Sequence, residues 1–348
     1  MNSTSLFLFG TIISFLVHFV CFIPFINFLY KRKMQRAAQE TKDPFGTTTP
    51  IFDKLNAHKA GIPVGGGILV IILTSLLFLI YMGWVLYTKQ YISINYPSIY
   101  TEMIVLFFTF ISFGFLGLYD DLSKIFFWRR SHHFGMRWRQ KLIIELILAA
   151  LVAVSLFLNL KIDLIHIPFV ATFELSYWYI FFAMFVIVAF SNAVNITDGM
   201  DGLSCGVLLI ALTGFWTISR SIIDVPTSIF ISVWLGGIMA FLYFNIYPAR
   251  IMLGDTGALS FGATFAVIGL ILGKSFALPV IGGVFVLEAA SSAIQLLGRR
   301  LVHKKIFAVS PLHLYLQHRG WSEPKVVFRL WIIAMVFVLL GLAIAFMR

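Results

Sequence analysis

Only two cysteines, Cys21 and Cys205, occur in 348 residues, and both sit in apolar surroundings. That excludes a disulfide framework and any thiolate metal site with paired spacing. Charge is equally scarce: 12% of residues are charged and only 15 are acidic. A water-soluble domain carries about 25% charged residues. With 60% hydrophobic residues and a mean hydropathy of +0.94, the chain reads as an all-α polytopic membrane protein. No soluble domain, low-complexity linker or internal repeat stands out, so residues 1–348 are expected to form one integral-membrane unit. The net charge of +11 does not point to nucleic acid, because the lysines and arginines are confined to loops between apolar runs. The N-terminus has no basic segment ahead of its long apolar run, as expected of a retained first helix.

Ten apolar runs of spanning length are present, at 5–30, 64–87, 101–119, 142–160, 177–192, 204–221, 228–247, 259–273, 278–298 and 327–347. The loop after the first carries Lys31, Arg32, Lys33, Arg36, Lys42, Lys54 and Lys59. The third loop carries Lys124, Arg129, Arg130, Arg137, Arg139 and Lys141, and the ninth Arg299, Arg300, Lys304, Lys305, Arg319 and Lys325. Even-numbered loops hold little beyond Lys89, Lys161, Arg220 and Lys274. The basic loops therefore face the cytoplasm and both termini face outside.

The unusual polar motifs fall in the same odd-numbered loops. The densest is 192–203 (NAVNITDGMDGL), which sets Asn192, Asn195, Thr197, Asp198 and Asp201 between two apolar runs. Ionisable groups at the end of a span are costly and usually functional. If the stretch stays helical, Asn195/Asp198 and Asp198/Asp201 are three-residue pairs that share a face, in a series that spirals by about 60° per step; the alternative is a polar loop closing two helices. Asp120 and Asp121 end the third run. Adjacent carboxylates repel unless they share a proton or cation, so they suit magnesium or a general base. They equally suit an interfacial pair balanced by Lys124 and Arg129. Asp255, between Gly254 and Thr256-Gly257, reads as a metal or phosphate-site carboxylate or as an ordinary tight turn. His313, after Pro311 in a basic loop, suits a phosphate oxygen, whereas His318 and Arg319 fit a solvated surface near anionic lipid heads. His132 and His133 read as interfacial residues with no assigned role. A solute carrier would more often place such groups near the bilayer midplane. A cluster at the cytoplasmic ends suits a cleft that takes one substrate from the cytosol and another from the membrane.

Together with 244–259 (FNIYPARIMLGDTGAL), 279–288 (PVIGGVFVLE) and 320–332 (GWSEPKVVFRLWI), these residues resemble the polyprenyl-phosphate N-acetylhexosamine-1-phosphate transferase superfamily, in order and over nearly the full length. The likeness is greatest to its muramoyl-pentapeptide branch. The resemblance implies transfer of phospho-MurNAc-pentapeptide from UDP-MurNAc-pentapeptide to undecaprenyl phosphate, giving UMP and lipid I, at the bacterial inner membrane with magnesium. It further implies that Asp255 is the magnesium ligand and that Asp120 and Asp121 are the catalytic pair. Asn192, Asn195, Asp198 and Asp201 would line the nucleotide-sugar cleft, with Lys59 beside it and His313 as the first histidine of the ninth-loop motif. A homodimer is a further expectation of the family. Two departures stand out. The family's three consecutive histidines are here His313-Leu314-Tyr315, and its TPTMGG is here Ile62-Pro63-Val64-Gly65-Gly66-Gly67, without the threonines. A sister enzyme using UDP-GlcNAc or a related UDP-HexNAc, or a non-enzymatic transporter, are the rival readings.

Overall fold

The computed structural model describes residues 3–36, 48–88, 96–127, 136–168 and 170–347. Lys42, Lys89, Arg129, Arg130, His132 and His133 lie outside the described residues. Among those described, the chain is almost entirely helical, and nine helices are long and apolar enough to cross a membrane. They are α1 (Ser3–Lys31), α3 (Gly66–Thr88), α4 (Ile99–Leu122), α5 (Trp138–Leu158), α6 (Trp178–Thr197), α7 (Leu203–Ser221), α8 (Val225–Asn245), α9 (Gly254–Ile271) and α13 (Glu323–Phe346). Short helices α2 (Pro50–Asn56) and α12 (Leu312–His318) lie in the first and ninth loops. The fourth loop adds an antiparallel hairpin, β1 (Leu164–Ile167) with β2 (Ala171–Glu174).

The expected span at 278–298 is a broken helix. α10 (Leu278–Ile281) stops at Gly282, and α11 (Gly283–Leu297) runs on for 15 residues. At 1.5 Å per residue α11 is about 22 Å long, less than the ~30 Å hydrocarbon core. The break has a packing cause. A Cβ on Gly282 would lie 2.7 Å from the Phe190 ring, and one on Gly283 would lie 2.6 Å from the Phe337 ring. Glycine lets α6 and α13 press onto the chain there.

α8 and α9 are buried almost throughout and form the centre of the bundle. Around them Phe110, Phe230, Trp234 and Phe261 interlock, with ring centroids 5.2–5.8 Å apart. α4 and α6 pack on α9, and α1 packs on α8. Lipid offers no hydrophobic drive between helices, so small residues govern how closely they approach. Gly117 of α4 lies against the Asp255 backbone, and Gly67 of α3 against Gly257. Both contacts sit at the end of the bundle that carries the polar motifs. Ile80, Phe115, Ile143 and Leu339 on the outer helices are exposed, as a lipid-facing surface requires.

Candidate active site

Three elements bring three carboxylates together. α4 ends on Asp120 and Asp121, α9 begins at Gly254, and α5 supplies Lys141 across from both. Gly254 adopts φ +81°, a left-handed turn that favours glycine and lets the chain enter α9. Asp255 therefore lies inside the first helical turn. Asp121 is saturated by that helix start: Oδ1 accepts from the Asp255 backbone N–H at 3.0 Å, and Oδ2 from the Thr256 N–H at 2.9 Å and its hydroxyl at 2.7 Å. A carboxylate in this position satisfies orphan donors and complements the helix dipole.

Asp120 and Asp255 share two lysines. Lys124 Nζ lies 3.0 Å from Asp120 Oδ2 and 2.9 Å from Asp255 Oδ2, and Lys141 Nζ lies 3.3 and 2.6 Å from the same atoms. The other Asp120 oxygen accepts from the Met136 N–H at 2.8 Å. Asp120 and Asp255 thus face two ammonium groups, while Asp121 is engaged on the helix start. Carboxylate oxygens are the donors a hard divalent cation takes.

A second cluster lies on the other side of the turn that follows α6. The helix does not continue through it: Asp198 leaves with ψ +44°, and Gly202 is left-handed at φ +76°. The shared face expected of Asn195, Asp198 and Asp201 is therefore not formed. Asp201 is instead an anchor, its Oδ2 accepting from the Ala249 N–H at 3.0 Å. Lys59 is almost fully buried, its Nζ 2.8 Å from Glu323 Oε1, 2.8 Å from the Gly199 carbonyl and 3.4 Å from Asp201 Oδ1. His58, Asp201 and Glu323 place donor atoms within 4.8 Å of one another. Lys59 sits against both of those carboxylates, as Lys124 and Lys141 sit against Asp120 and Asp255, so each cluster sets carboxylates against lysine.

Asp198 lies between the clusters, acted on by the charges of Asp255 and Asp121 on one side and of Lys59 and Arg36 on the other. Burial pushes its carboxyl up to about 7; the Asp255 charge adds to the shift and Lys59 opposes it. Burial likewise lowers the Arg36 guanidinium, against the pull of Asp198, Asp201 and Asp53. Arg36 is fixed by backbone bonds to Ile62 and Gly61.

Of the other expected site residues, Asn192 donates to Glu145 Oε2 at 2.5 Å, and Asn195 sits part-buried in the last turn of α6. His313 is buried, Nδ1 2.9 Å from Glu288 Oε2. The two positions where the family's histidines are replaced have become packing: Leu314 is buried and Tyr315 stands edge-on to Phe307. Reading the sequence for motifs passed over Lys141, Glu145, Glu288, Glu323 and Arg36 as individual site groups. The three glutamates had a signal, since each is a lone acid in or at the start of an apolar run. Lys141 and Arg36 had none, being ordinary members of basic loops.

A bundle of apolar helices that gathers carboxylates and lysines at one end suits a membrane-embedded transferase. In agreement, residues 103–273 match the family model described as Glycosyl transferase family 4. The chain is 33% identical over 329 residues to a phospho-N-acetylmuramoyl-pentapeptide-transferase of Caldanaerobacter subterraneus subsp. tengcongensis, covering 94% of this chain and 95% of that one. It is 34% identical over 331 residues to the enzymes of the same name from Rickettsia akari and Rickettsia prowazekii, covering 89% of this chain and 86% of each. The chain belongs to the phospho-N-acetylmuramoyl-pentapeptide-transferase family, as a multi-pass protein of the bacterial inner membrane.

Proposed function

We propose that the protein transfers phospho-MurNAc-pentapeptide from UDP-MurNAc-pentapeptide to undecaprenyl phosphate, giving lipid I and UMP. The observation that carries this reading is the sharing of Lys124 and Lys141 between Asp120 and Asp255, within a chain similar along nearly its whole length to enzymes of that name. An oxygen of the lipid phosphate attacks the sugar-bearing phosphorus, and the bond to the bridging oxygen breaks, leaving UMP. Both substrates are anions, so electrostatics and positioning carry most of the rate. Lys124 and Lys141 offset phosphate charge during approach and departure. Asp120, with one oxygen toward the lysines, is placed to hold or accept the lipid phosphate proton. Asp121 holds α9, and through it Asp255, in register. Asp198, with Asn195 before it, faces the nucleotide-sugar. Magnesium, held by Asp255 with Asp120, would supply further charge neutralisation at the phosphates.

The test uses purified full-length protein with magnesium and undecaprenyl phosphate, offered UDP-MurNAc-pentapeptide and UDP-GlcNAc separately. UMP release with the muropeptide alone is expected. Release with UDP-GlcNAc alone would move the protein to the sister branch, with the lost histidines as the first place to look. No release with either would favour a transporter.

A further inference from the structure

Two buried glutamates meet the same short turn through different intermediaries. We infer that Glu288 and Glu323 are positioning residues that clamp the turn around Gly199, Glu288 through His313 and Glu323 through Lys59, and so hold Asp198 in the cleft. This rests on the reading above, in which that cleft takes the nucleotide-sugar.

On one face, Glu323 Oε1 accepts from Lys59 Nζ at 2.8 Å and from the Asp201 backbone N–H at 2.7 Å, while Lys59 donates on to the Gly199 carbonyl. One carboxylate oxygen thus ties the first loop, the turn and the start of α13 together. On the other face, Glu288 accepts from the His313 backbone N–H at 3.1 Å and lies 2.9 Å from Nδ1. Nδ1 is the nitrogen turned toward Glu288, and Nε2 is turned away. Nε2 is buried, without a hydrogen-bond partner, and packed on Gly199, where a Cβ would lie 2.2 Å from it. Even alanine at 199 would need the ring or the turn to move.

The clamp is needed because the turn has left α6 and has no helical ladder of its own. Asp198, one residue before Gly199, has no side-chain hydrogen bond among the described residues. Its place is set by what holds the backbone beside it. Lys59 and His313 therefore act on the nucleotide-sugar through the turn. A carboxylate buried in a membrane protein is costly, and each glutamate here is met by partners on the segments it joins, Glu288 by His313 and Glu323 by Lys59 and the Asp201 N–H.

The test is made on the full-length protein with Glu288→Gln, Glu323→Gln, Gly199→Ala, His313→Ala and the Gly199→Ala/His313→Ala double variant. Each glutamine variant is expected to raise KM for the nucleotide-sugar about tenfold while leaving KM for the lipid acceptor unchanged, the signature of a displaced binding group. Hydrogen exchange at amides 198–203 should quicken about tenfold in both, with the rest of the bundle unaltered. Removing the His313 ring removes the clash, so the double variant should be no worse than His313→Ala alone. Multiplying losses in the double variant, or unchanged exchange at 198–203 in the glutamine variants, would overturn the clamp. If wild-type protein releases no UMP, the substrate reading falls and the exchange measurement still decides the clamp.

Discussion

The two ends of α4 both carry buried carboxyls, and they have opposite characters. At the site end, Asp120 and Asp255 are bridged by Lys124 and Lys141, and Asp121 caps α9. At the other end, about 27 Å from Asp120 along the helix, Glu102 accepts from the Thr227 hydroxyl at 2.7 Å, and Asp224 caps α8 through the Thr227 N–H at 3.1 Å. There the two acids share Thr227, and none of the groups acting on Asp224 is a cation. Burial pushes the Asp224 carboxyl up, with the bond from Thr227 opposing it. Paired acids without a counter-ion lower their charge by sharing a proton and serve to hold helices together. Acids matched to movable ammonium groups keep their charge and can exchange partners with a phosphate or a cation. The presence of buried acids does not mark the site; their counter-ions do.

The largest effect should come from breaking the charged end. Asp255→Asn removes one of the two carboxylates that share Lys124 and Lys141 and should lower UMP release by roughly a thousandfold, while the protein still inserts and purifies. Near-normal turnover would remove Asp255 from the chemistry.

A smaller effect tests Asp198. Its folded-state value is raised, to about 7 from 3.8. Between those values the folded protein holds a proton that the unfolded chain has lost, so stability falls as pH rises through this window and levels off above about 7. Asp198→Asn should flatten that decline in thermal unfolding followed from pH 5 to 8. A slope unchanged by the substitution would place the titration elsewhere.

The smallest effects belong to the end without lysines. Asp224→Ala removes a helix cap and should cost about 1 kcal/mol in unfolding. Glu102→Gln keeps an oxygen that accepts from the Thr227 hydroxyl and should leave both stability and UMP release within about twofold. A large loss of activity in Glu102→Gln would erase the contrast between the ends.

Much of the site was legible in the sequence because the bilayer makes polar groups conspicuous. Asp120, Asp121, Asp198 and Asp255 stood out as acids bordering apolar runs, and the structure brings all four to one end of the bundle. Their division of labour was not legible. Asp120 and Asp121 are chain neighbours of the same type, yet one faces two lysines and the other caps a helix, because successive positions on α4 point about 100° apart. Lys59 and His313 looked like free basic groups, and only their burial against Glu323 and Glu288 shows them engaged.

The sequence alone determined that this is a helical membrane protein with its chemistry at one end, since long apolar runs have few other fates in water or lipid and basic loops have a preferred side. It could not decide the break at Gly282, the end of α6 at Asp198 or the partners of each carboxylate. Those depend on which side chains of distant helices arrive at the same point, as when the Phe190 and Phe337 rings press on Gly282 and Gly283 or Lys141 reaches Asp255 across the bundle. Local propensity carries no record of such encounters, because they exist only once the helices have packed.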